Sequence, residues 1–424
     1  MKPIAVISIF AAGLLPLPTH AQTAEQTAAA ALDAAPVLDG HNDVPSQLRQ
    51  RLHNQINEFD FTDTLDLPNA DPDGRTMHTD LARLRQGKVG AQYWSVYVPA
   101  SLPEPAAVVA TLEQIDVTKR LVARYPDEMQ LALTADDIEM AVANGKIASL
   151  IGMEGGHSIG SSLAVVRQMY DLGARYMTLT HSKNTPWADS ATDDPAHDGL
   201  TDFGRDLVCE MNRIGMQVDL SHVSEKTMLD ALDVARAPVI FSHSGARAVN
   251  GHARNVPDSV LKRLPENGGV VMVVGLPGYL SESQRQWYSR RQAEEARLKA
   301  LWQGQPNQVA AALAQWDAAN ISPDATISDM ADHIDHIRKV AGVAHIGIGG
   351  DYDGMPSGPV GMEDVTGYPA LFVELARRGY SQAELEMISM RNAVRALRGA
   401  ERYAASVRDA APIETVISRE GELE

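Results

Sequence analysis

Short apolar runs alternate with longer amphipathic segments along most of the chain, and this alternation constrains the fold more than any other feature. Each run has between four and eight residues and is bounded by Gly, Pro or Asp, as buried parallel strands are. Helical periodicity marks the segments between the runs. Strands alternating with helices predict an α/β fold, a closed (β/α)8 TIM-like barrel, with an open doubly wound sheet as the rival. The eight runs are residues 37–41, 93–98, 148–154, 175–181, 217–222, 238–243, 269–275 and 345–351.

One segment does not fit this alternation. Residues 281–318 are charged and rich in Arg, Gln and Ala, which predicts a helical insertion after the seventh strand. Such an insertion either covers the barrel mouth or is a plain surface excursion. No internal repeat is visible, so we expect an Ala-rich leader at residues 22–35 and a single domain over residues 36–424.

The N-terminus has the pattern of a targeting segment. A positive start at Lys2, an apolar stretch over residues 4–17 and a small residue at Ala21 predict a signal peptide over residues 1–21. A buried N-terminal helix is the alternative. Beyond this segment no apolar stretch reaches 18 residues, so we expect a periplasmic or secreted protein without a membrane anchor after cleavage.

Composition excludes two classes of site. The chain has 55 acidic and 37 basic residues, a net charge of −18, which argues against a nucleic-acid partner because phosphates need a basic surface. Cys209 is the single cysteine, so neither an intramolecular disulfide nor a zinc–thiolate cluster can form. Any metal must therefore be held by His and carboxylate side chains.

Such side chains follow most of the predicted strands, where barrel enzymes place their sites. In order along the chain they are His41 and Asp43, Glu154, His181, His222, His243 and Asp351. Imidazole and carboxylate donors without thiolate suit Zn²⁺ or its neighbours. The five donors His41, Asp43, Glu154, His222 and His243 are too many for one catalytic zinc, but suit two ions bridged by Glu154. Taken alone, Asp43 could equally cap the next helix.

Other patterns favour different interpretations. Residues 156–160 match Gly-x-Ser-x-Gly, so Ser158 could be the nucleophile of a serine hydrolase with His345 as its base. In the metal interpretation Ser158 would start a helix. A non-catalytic periplasmic binding protein is a third class. The polar residues of the stretch 332–336 have helical spacing and predict a solvated helix face.

Seven motifs, in order, resemble those of the membrane (renal) dipeptidase family of zinc metallopeptidases. The motifs are residues 38–43, 154–158, 179–187, 219–222, 241–244, 254–257 and 350–354, and the similarity runs from about residue 37 to about residue 399. The resemblance implies a (β/α)8 barrel with two zinc ions per chain. It also implies hydrolysis of dipeptides that have a free C-terminal carboxylate, including those with a C-terminal D residue.

The resemblance also implies a role for each site residue. His41 and Asp43 would bind one zinc, His222 and His243 the other, and Glu154 both. Two such ions make hydroxide available near neutral pH. His181, Arg254 and Tyr279 would contact the substrate, with His181 donating to the developing oxyanion and Arg254 binding the carboxylate. Asp351 would contact the substrate and move the proton. Residues 274–279 and the insertion differ from the mammalian members, so the resemblance does not predict which substrate side chains are preferred. A homodimer is compatible with the resemblance.

Overall fold

The computed structural model describes residues 22–65, 67 and 76–417, so the predicted signal peptide lies outside the described residues. Nine parallel strands form one sheet within this part of the chain. The strands are β1 Val37–Asn42, β2 Val89–Ser95, β3 Met129–Leu131, β4 Ile147–Glu154, β5 Ala174–Thr178, β6 Gln217–Asp219, β7 Ile240–Ser244, β8 Val270–Val274 and β9 Ile346–Gly349.

Eight of these strands close into a barrel. The order β2-β1-β9-β8-β7-β6-β5-β4 is completed by a parallel pairing of β2 with β4. The predicted (β/α)8 barrel is therefore confirmed, and the open sheet is wrong. The remaining strand, β3, lies outside the barrel. It pairs with the first three residues of β4, before the residues of β4 that pair with β5. Every residue of the eight barrel strands is buried, which explains why they read as continuous apolar runs.

Helices cover the barrel and carry the chain between strands. Several begin with a Ser or Thr whose hydroxyl accepts a hydrogen bond from a backbone N–H of the first turn, among them Ser162, Thr201 and Ser224. The helices are α1 Ala24–Ala34, α2 Val44–Leu52, α3 Leu81–Gln86, α4 Glu104–Arg124, α5 Ala135–Ala143, α6 Leu163–Asp171, α7 Asp202–Ile214, α8 Glu225–Val234, α9 Asp258–Leu261, α10 Leu264–Asn267, α11 Pro277–Leu280, α12 Glu282–Leu301, α13 Pro306–Ala319, α14 Ile327–Val340, α15 Tyr368–Arg377, α16 Gln382–Glu386 and α17 Asn392–Ser406.

The segment expected to be a leader is largely helical. Thr23 and Gln26 form a capping box at the start of α1, and Ala28, Ala31 and Leu32 are buried. The helix packs against α15 and α16. Residues 24–34 are therefore attached to the barrel rather than separate from it.

The insertion after the seventh barrel strand is helical, as predicted. It consists of α11, α12 and α13, which precede the barrel helix α14. Its buried apolar side chains are Leu280 of α11, Trp287 and Leu298 of α12, and Leu313 of α13. None of the helices in the described ranges is both long and apolar enough to span a membrane.

Candidate metal centre

The C-terminal ends of the strands surround a cavity of about 360 Å³ at the barrel mouth. All but one of the site residues predicted from the sequence line it, because parallel strands all end at this rim. They are Asp43, Glu154, His181, His222, His243, Arg254, Tyr279 and Asp351. The exception, His41, is fully buried beside the cavity.

Glu154, the last residue of β4, presents its two carboxylate oxygens to two separate groups of side chains. Oε2 lies 3.5 Å from Nε2 of His41 and accepts a hydrogen bond from Ser95 at 3.2 Å. Oε1 lies 3.0 Å from Nε2 of His222 and 3.5 Å from Nε2 of His243. One carboxylate therefore separates two clusters of nitrogen and oxygen donors.

The first cluster contains His41 and Asp43. Nε2 of His41 lies 3.3 Å from Oδ2 of Asp43 and, within the described part of the chain, has no hydrogen-bond partner although it is buried. The Tyr176 hydroxyl lies 2.9 Å from Nδ1 of His41 and 3.3 Å from the Gly40 carbonyl, so a protein partner holds the second ring nitrogen of His41. The buried Nε2 is available to a metal ion once it is deprotonated.

Asp43 stands at the N-cap position of α2, but its side chain makes no capping hydrogen bond. The alternative that Asp43 serves only as a helix cap is therefore wrong. The carboxylate is turned toward His41 instead.

The second cluster contains His222 and His243, whose Nε2 atoms lie 2.9 Å apart. Because β6 ends at Asp219, His222 belongs to the loop that follows the strand rather than to the strand itself. Its φ is +69°, a left-handed conformation that costs a non-glycine residue energy and is typical of functional sites. The backbone N–H of Ala191 holds the carbonyl of His222 at 2.7 Å.

The protonation states of Glu154, His222 and His243 suit ligation. At His41 burial alone would lower the pKa, but Tyr176, Glu154 and Asp43 raise it well above the usual value, so a metal would have to displace a proton there. Burial alone would raise the pKa of Glu154. The interactions with His41, His181 and His222 outweigh burial and hold this pKa well below the usual range. Burial, reinforced by the Arg254 charge, lowers the pKa of both His222 and His243 well below the usual value. An ionised carboxylate and neutral imidazoles are the forms that bind metal.

The donor geometry fits two ions. His41, Asp43 and Glu154 offer ligand atoms within 4.8 Å of one another, and so do Glu154, His222 and His243. A third combination of His41, His243 and Asp351 meets the same criterion. Since all of these donors are nitrogen or oxygen, the residues fit zinc and neighbouring divalent ions.

Asp351 lies in the loop after β9 with a left-handed φ of +64°, and its N–H donates to the carbonyl of His41 at 3.0 Å. Burial, together with the carboxylates of Asp43 and Glu154, raises the pKa of Asp351 to about 8. Bound cations would act in the opposite direction. Without bound cations, the carboxyl of Asp351 would therefore exchange its proton near neutral pH.

Arg254 is 1% exposed, and its guanidinium donates to the Ser244 hydroxyl at 3.4 Å and to the His243 carbonyl at 3.3 Å. Its Nε is buried and has no hydrogen-bond partner among the described residues. The guanidinium carbon lies 5.4 Å from the centre of the Tyr279 ring, a cation–π distance. No carboxylate of the described residues pairs with this buried cation, which faces the cavity next to Tyr279.

His181 lies three residues beyond the end of β5, in a stack of aromatic rings. Its ring centre is 4.2 Å from that of His222 and 4.7 Å from that of Tyr97. Burial lowers the pKa of His181 to about 4, so the ring is a neutral hydrogen-bond donor at physiological pH. Sequence reasoning missed Ser95 and Tyr97. Both lie within the second predicted strand, residues 93–98, and Ser95 is the last residue of the observed strand β2.

The serine nucleophile is not supported. The hydroxyl of Ser158 is fully buried and makes no hydrogen bond to the described residues. His345 precedes β9 and bonds to the Gly269 carbonyl at 2.7 Å, at the opposite end of the barrel. Ser158 does not start a helix by capping it either, because Ser162 caps α6.

The predicted solvated face over residues 332–336 is wrong at one position. His333 is fully buried in α14, its Nδ1 accepts from the N–H of Ala246 at 2.7 Å, and its Nε2 donates to the carbonyl of Leu280 at 3.0 Å. The ring therefore joins α14 to the loop after β7 and to α11, which carries Tyr279.

Comparisons with known proteins identify relatives of this chain. A family model described as membrane dipeptidase (peptidase family M19) matches residues 25–411. Dipeptidase 3 of Rattus norvegicus is 41% identical over 389 residues, which are 90% of this chain and 68% of the relative.

Solved structures agree at the level of the fold. The probable dipeptidase PvdM from Pseudomonas aeruginosa has a TM-score of 0.73 and 24% identity, covering 90% of this chain and 99% of that one. A metallo peptidase from Rhodobacter sphaeroides, solved with a phosphinate mimic of the dipeptide L-Ala-D-Ala, has a TM-score of 0.69 and 24% identity over 86% of this chain and 99% of that one. With the family match spanning nearly all of the described residues, the chain belongs to the membrane dipeptidase family, peptidase family M19, and is a hydrolase that acts on peptide bonds.

Proposed function

We propose that this protein is a dipeptidase that uses two zinc ions to hydrolyse dipeptides with a free C-terminal carboxylate. The observation that carries the proposal is the division of the Glu154 carboxylate between the His41 and His222 sides of the site. His41 and Asp43 would hold one ion, His222 and His243 the other, and Glu154 would bridge them. When bound, such an ion pair supplies the Lewis acidity that makes a water nucleophilic near neutral pH and polarises the scissile carbonyl.

The buried guanidinium of Arg254 supports recognition of a carboxylate. Burying a cation is costly unless an anion compensates it, and a planar guanidinium matches a carboxylate in a bidentate arrangement. Tyr279 lies against the same guanidinium and would contact the last residue of the substrate. A fixed distance between Arg254 and Glu154 would select for the length of a dipeptide.

Asp351 and His181 would handle charge and protons. Asp351, whose pKa is displaced toward neutrality, would accept a proton from the attacking water and pass it to the leaving amine. His181 is neutral and held by the rings of Tyr97 and His222, so it would donate to the oxygen on which negative charge develops. Both side chains line the cavity.

A C-terminal D residue is compatible with this site. Arg254 would bind the end group rather than the side chain, so the chirality of the last residue is a weaker requirement than its free carboxylate. The Rhodobacter sphaeroides structure was solved with a mimic of L-Ala-D-Ala. That similarity motivates testing L,D substrates here.

The signal-peptide pattern of residues 1–21 supports a periplasmic or secreted location.

The decisive experiment measures metal content and turnover together. The purified protein should contain about two zinc ions per chain and cleave a panel of L,L and L,D dipeptides. Dialysis against a chelator should abolish turnover, and added Zn²⁺ should restore it. Full activity in metal-free protein would overturn the metal mechanism, and no turnover of any dipeptide by the zinc-loaded protein would favour a binding protein.

A further inference from the structure

Asp219, the last residue of β6, is a buried carboxylate that accepts four hydrogen bonds. Oδ1 accepts from the backbone N–H groups of Ser221 at 3.0 Å and Ser242 at 2.9 Å. Oδ2 accepts from the hydroxyls of Thr178 at 2.5 Å and Ser242 at 2.6 Å. The carboxylate is fully buried, and Asp219 belongs to none of the three groups of candidate metal ligands among the described residues.

The Ser242 hydroxyl connects this carboxylate to His243. The hydroxyl has a single hydrogen. It donates this hydrogen to Asp219, because the charged carboxylate is nearer than the Ser221 hydroxyl, which lies 3.4 Å away. Ser242 Oγ also lies 2.8 Å from Nδ1 of His243 and must accept there, because its hydrogen is already committed. The proton of His243 is therefore on Nδ1, and the lone pair is on Nε2, which faces Glu154.

We propose that Asp219 is a positioning residue that fixes the tautomer of His243 through Ser242 and thereby sets the affinity of the His222–His243 metal site. The inference rests on the proposed metal centre. Residues that hold a ligating histidine by its second nitrogen typically change metal affinity 10- to 100-fold when they are mutated. A purely structural role would require only that Asp219 hold the β5, β6 and β7 ends together.

The substitution Asp219→Asn separates these roles because it reverses the direction of the hydrogen bonds. The amide oxygen would still accept the hydrogen bonds that the two backbone N–H groups now donate to Oδ1. The amide nitrogen would then replace Oδ2 and donate to Ser242 Oγ, which frees the serine hydrogen for Nδ1 of His243. The ring would carry its proton on Nε2, and that proton would have to move before a metal could bind there.

The experiment compares the zinc affinities of folded proteins by competition with a chromophoric chelator. We expect Asp219→Asn to weaken one of the two zinc equivalents by about 10- to 100-fold. Thr178→Val is the matched control, because it removes the other hydroxyl from Oδ2 and leaves the link to His243 intact. This variant should bind both equivalents within about threefold of wild type, by the same scale.

A second readout reports the tautomer directly. In ¹⁵N–¹H correlation spectra of metal-free protein, the His243 proton should be on Nδ1 in wild type and on Nε2 in Asp219→Asn. If Asp219→Asn does not fold, Ser242→Ala removes the acceptor from Nδ1 and should weaken the same equivalent. Wild-type affinity for both equivalents in Asp219→Asn, or in Ser242→Ala where that variant replaces it, would overturn the inference. A wild-type protein that binds no zinc would instead refute the proposed metal centre.

Discussion

Oε1 of Glu154 lies 3.0 Å from Nε2 of His222, although Glu154 ends β4, His222 follows β6, and β5 lies between these two strands. Because the barrel is curved, the ends of two strands that are separated by one other strand lie close together above the packed interior. The contact shows how one side chain reaches groups on several strands.

Replacing Glu154 with Gln should abolish binding of both metal ions. The amide keeps the size of the side chain but removes the charge that offsets the repulsion between two dications. Metal content after dialysis, measured by mass spectrometry, and turnover should both collapse. Ser95→Ala is the control, because it removes a hydrogen bond to Glu154 and keeps the charge. Normal zinc content in Glu154→Gln would remove Glu154 from the bridging role.

Arg254→Ala should cut kcat/KM for free dipeptides by about 2–4 kcal/mol of transition-state stabilisation, as the loss of one partner of a buried charge pair does. Amidated dipeptides cannot form the pair, so the same substitution should hardly change their turnover. The measurement is kcat/KM for a dipeptide and its amide in both proteins. Equal losses on the two substrates would mean that Arg254 serves the fold or the metal site.

A methyl group at Gly354 would lie 2.2 Å from Oδ2 of Asp43 and 2.7 Å from Oδ1 of Asp351. Gly354→Ala should therefore displace these carboxylates, with an overpacking cost of about 1–3 kcal/mol, and reduce zinc content and turnover together. Gly251→Ala is the control, since its nearest contact would be an ordinary 3.6 Å. Unchanged zinc content in Gly354→Ala would show that Asp43 is not a ligand.

Ser158→Ala should leave turnover and stability almost unchanged, because removing a buried hydroxyl without a partner is nearly neutral. Ser162→Ala, which removes the real N-cap of α6, should cost about 1 kcal/mol in the free energy of unfolding. Denaturant titration and a dipeptide assay measure both quantities. A loss of several orders of magnitude in turnover for Ser158→Ala, with zinc retained, would revive the serine hydrolase.

His333 should make stability depend on pH. Burial lowers the pKa of its ring from 6.5 to about 4, so the unfolded chain binds the proton more readily than the folded one. The stabilisation is present above pH 6.5 and is lost as the pH falls toward 4, on the order of 3 kcal/mol in total. Free energies of unfolding for wild type and His333→Gln, measured across this range, isolate the effect because other groups cancel. Parallel pH profiles would contradict it.

The sequence was sufficient to predict which residues meet at the barrel mouth. His41, Glu154 and His243 each end a buried apolar run, and parallel strands that alternate with helices must end at one rim. The motif resemblance then distinguished Arg254 from an ordinary surface arginine. Neither the strand pattern nor the motif resemblance requires knowledge of the distances between these side chains.

Contacts between distant segments were not predictable in this way. The burial of His333 depends on the Ala246 loop and on α11, which its own helical periodicity does not reveal. The strand β3 has only three residues, too few for alternation to be visible. The hydrogen bond between Asp219 and Ser242 joins two neighbouring strands, and no pattern within either strand reveals it.

Pairing of the first strand with the last has a consequence for how the chain acquires activity. Asp39 of β1 pairs with Ile348 of β9, and the backbone bonds Asp351 to His41 and Asp43 to Tyr352 hold the two strand ends together. These contacts join segments about three hundred residues apart, so on folding they form slowly and late. A chain that still lacks β9 cannot place Asp351 beside His41, so the proposed hydrolytic centre would be complete only after the barrel has closed.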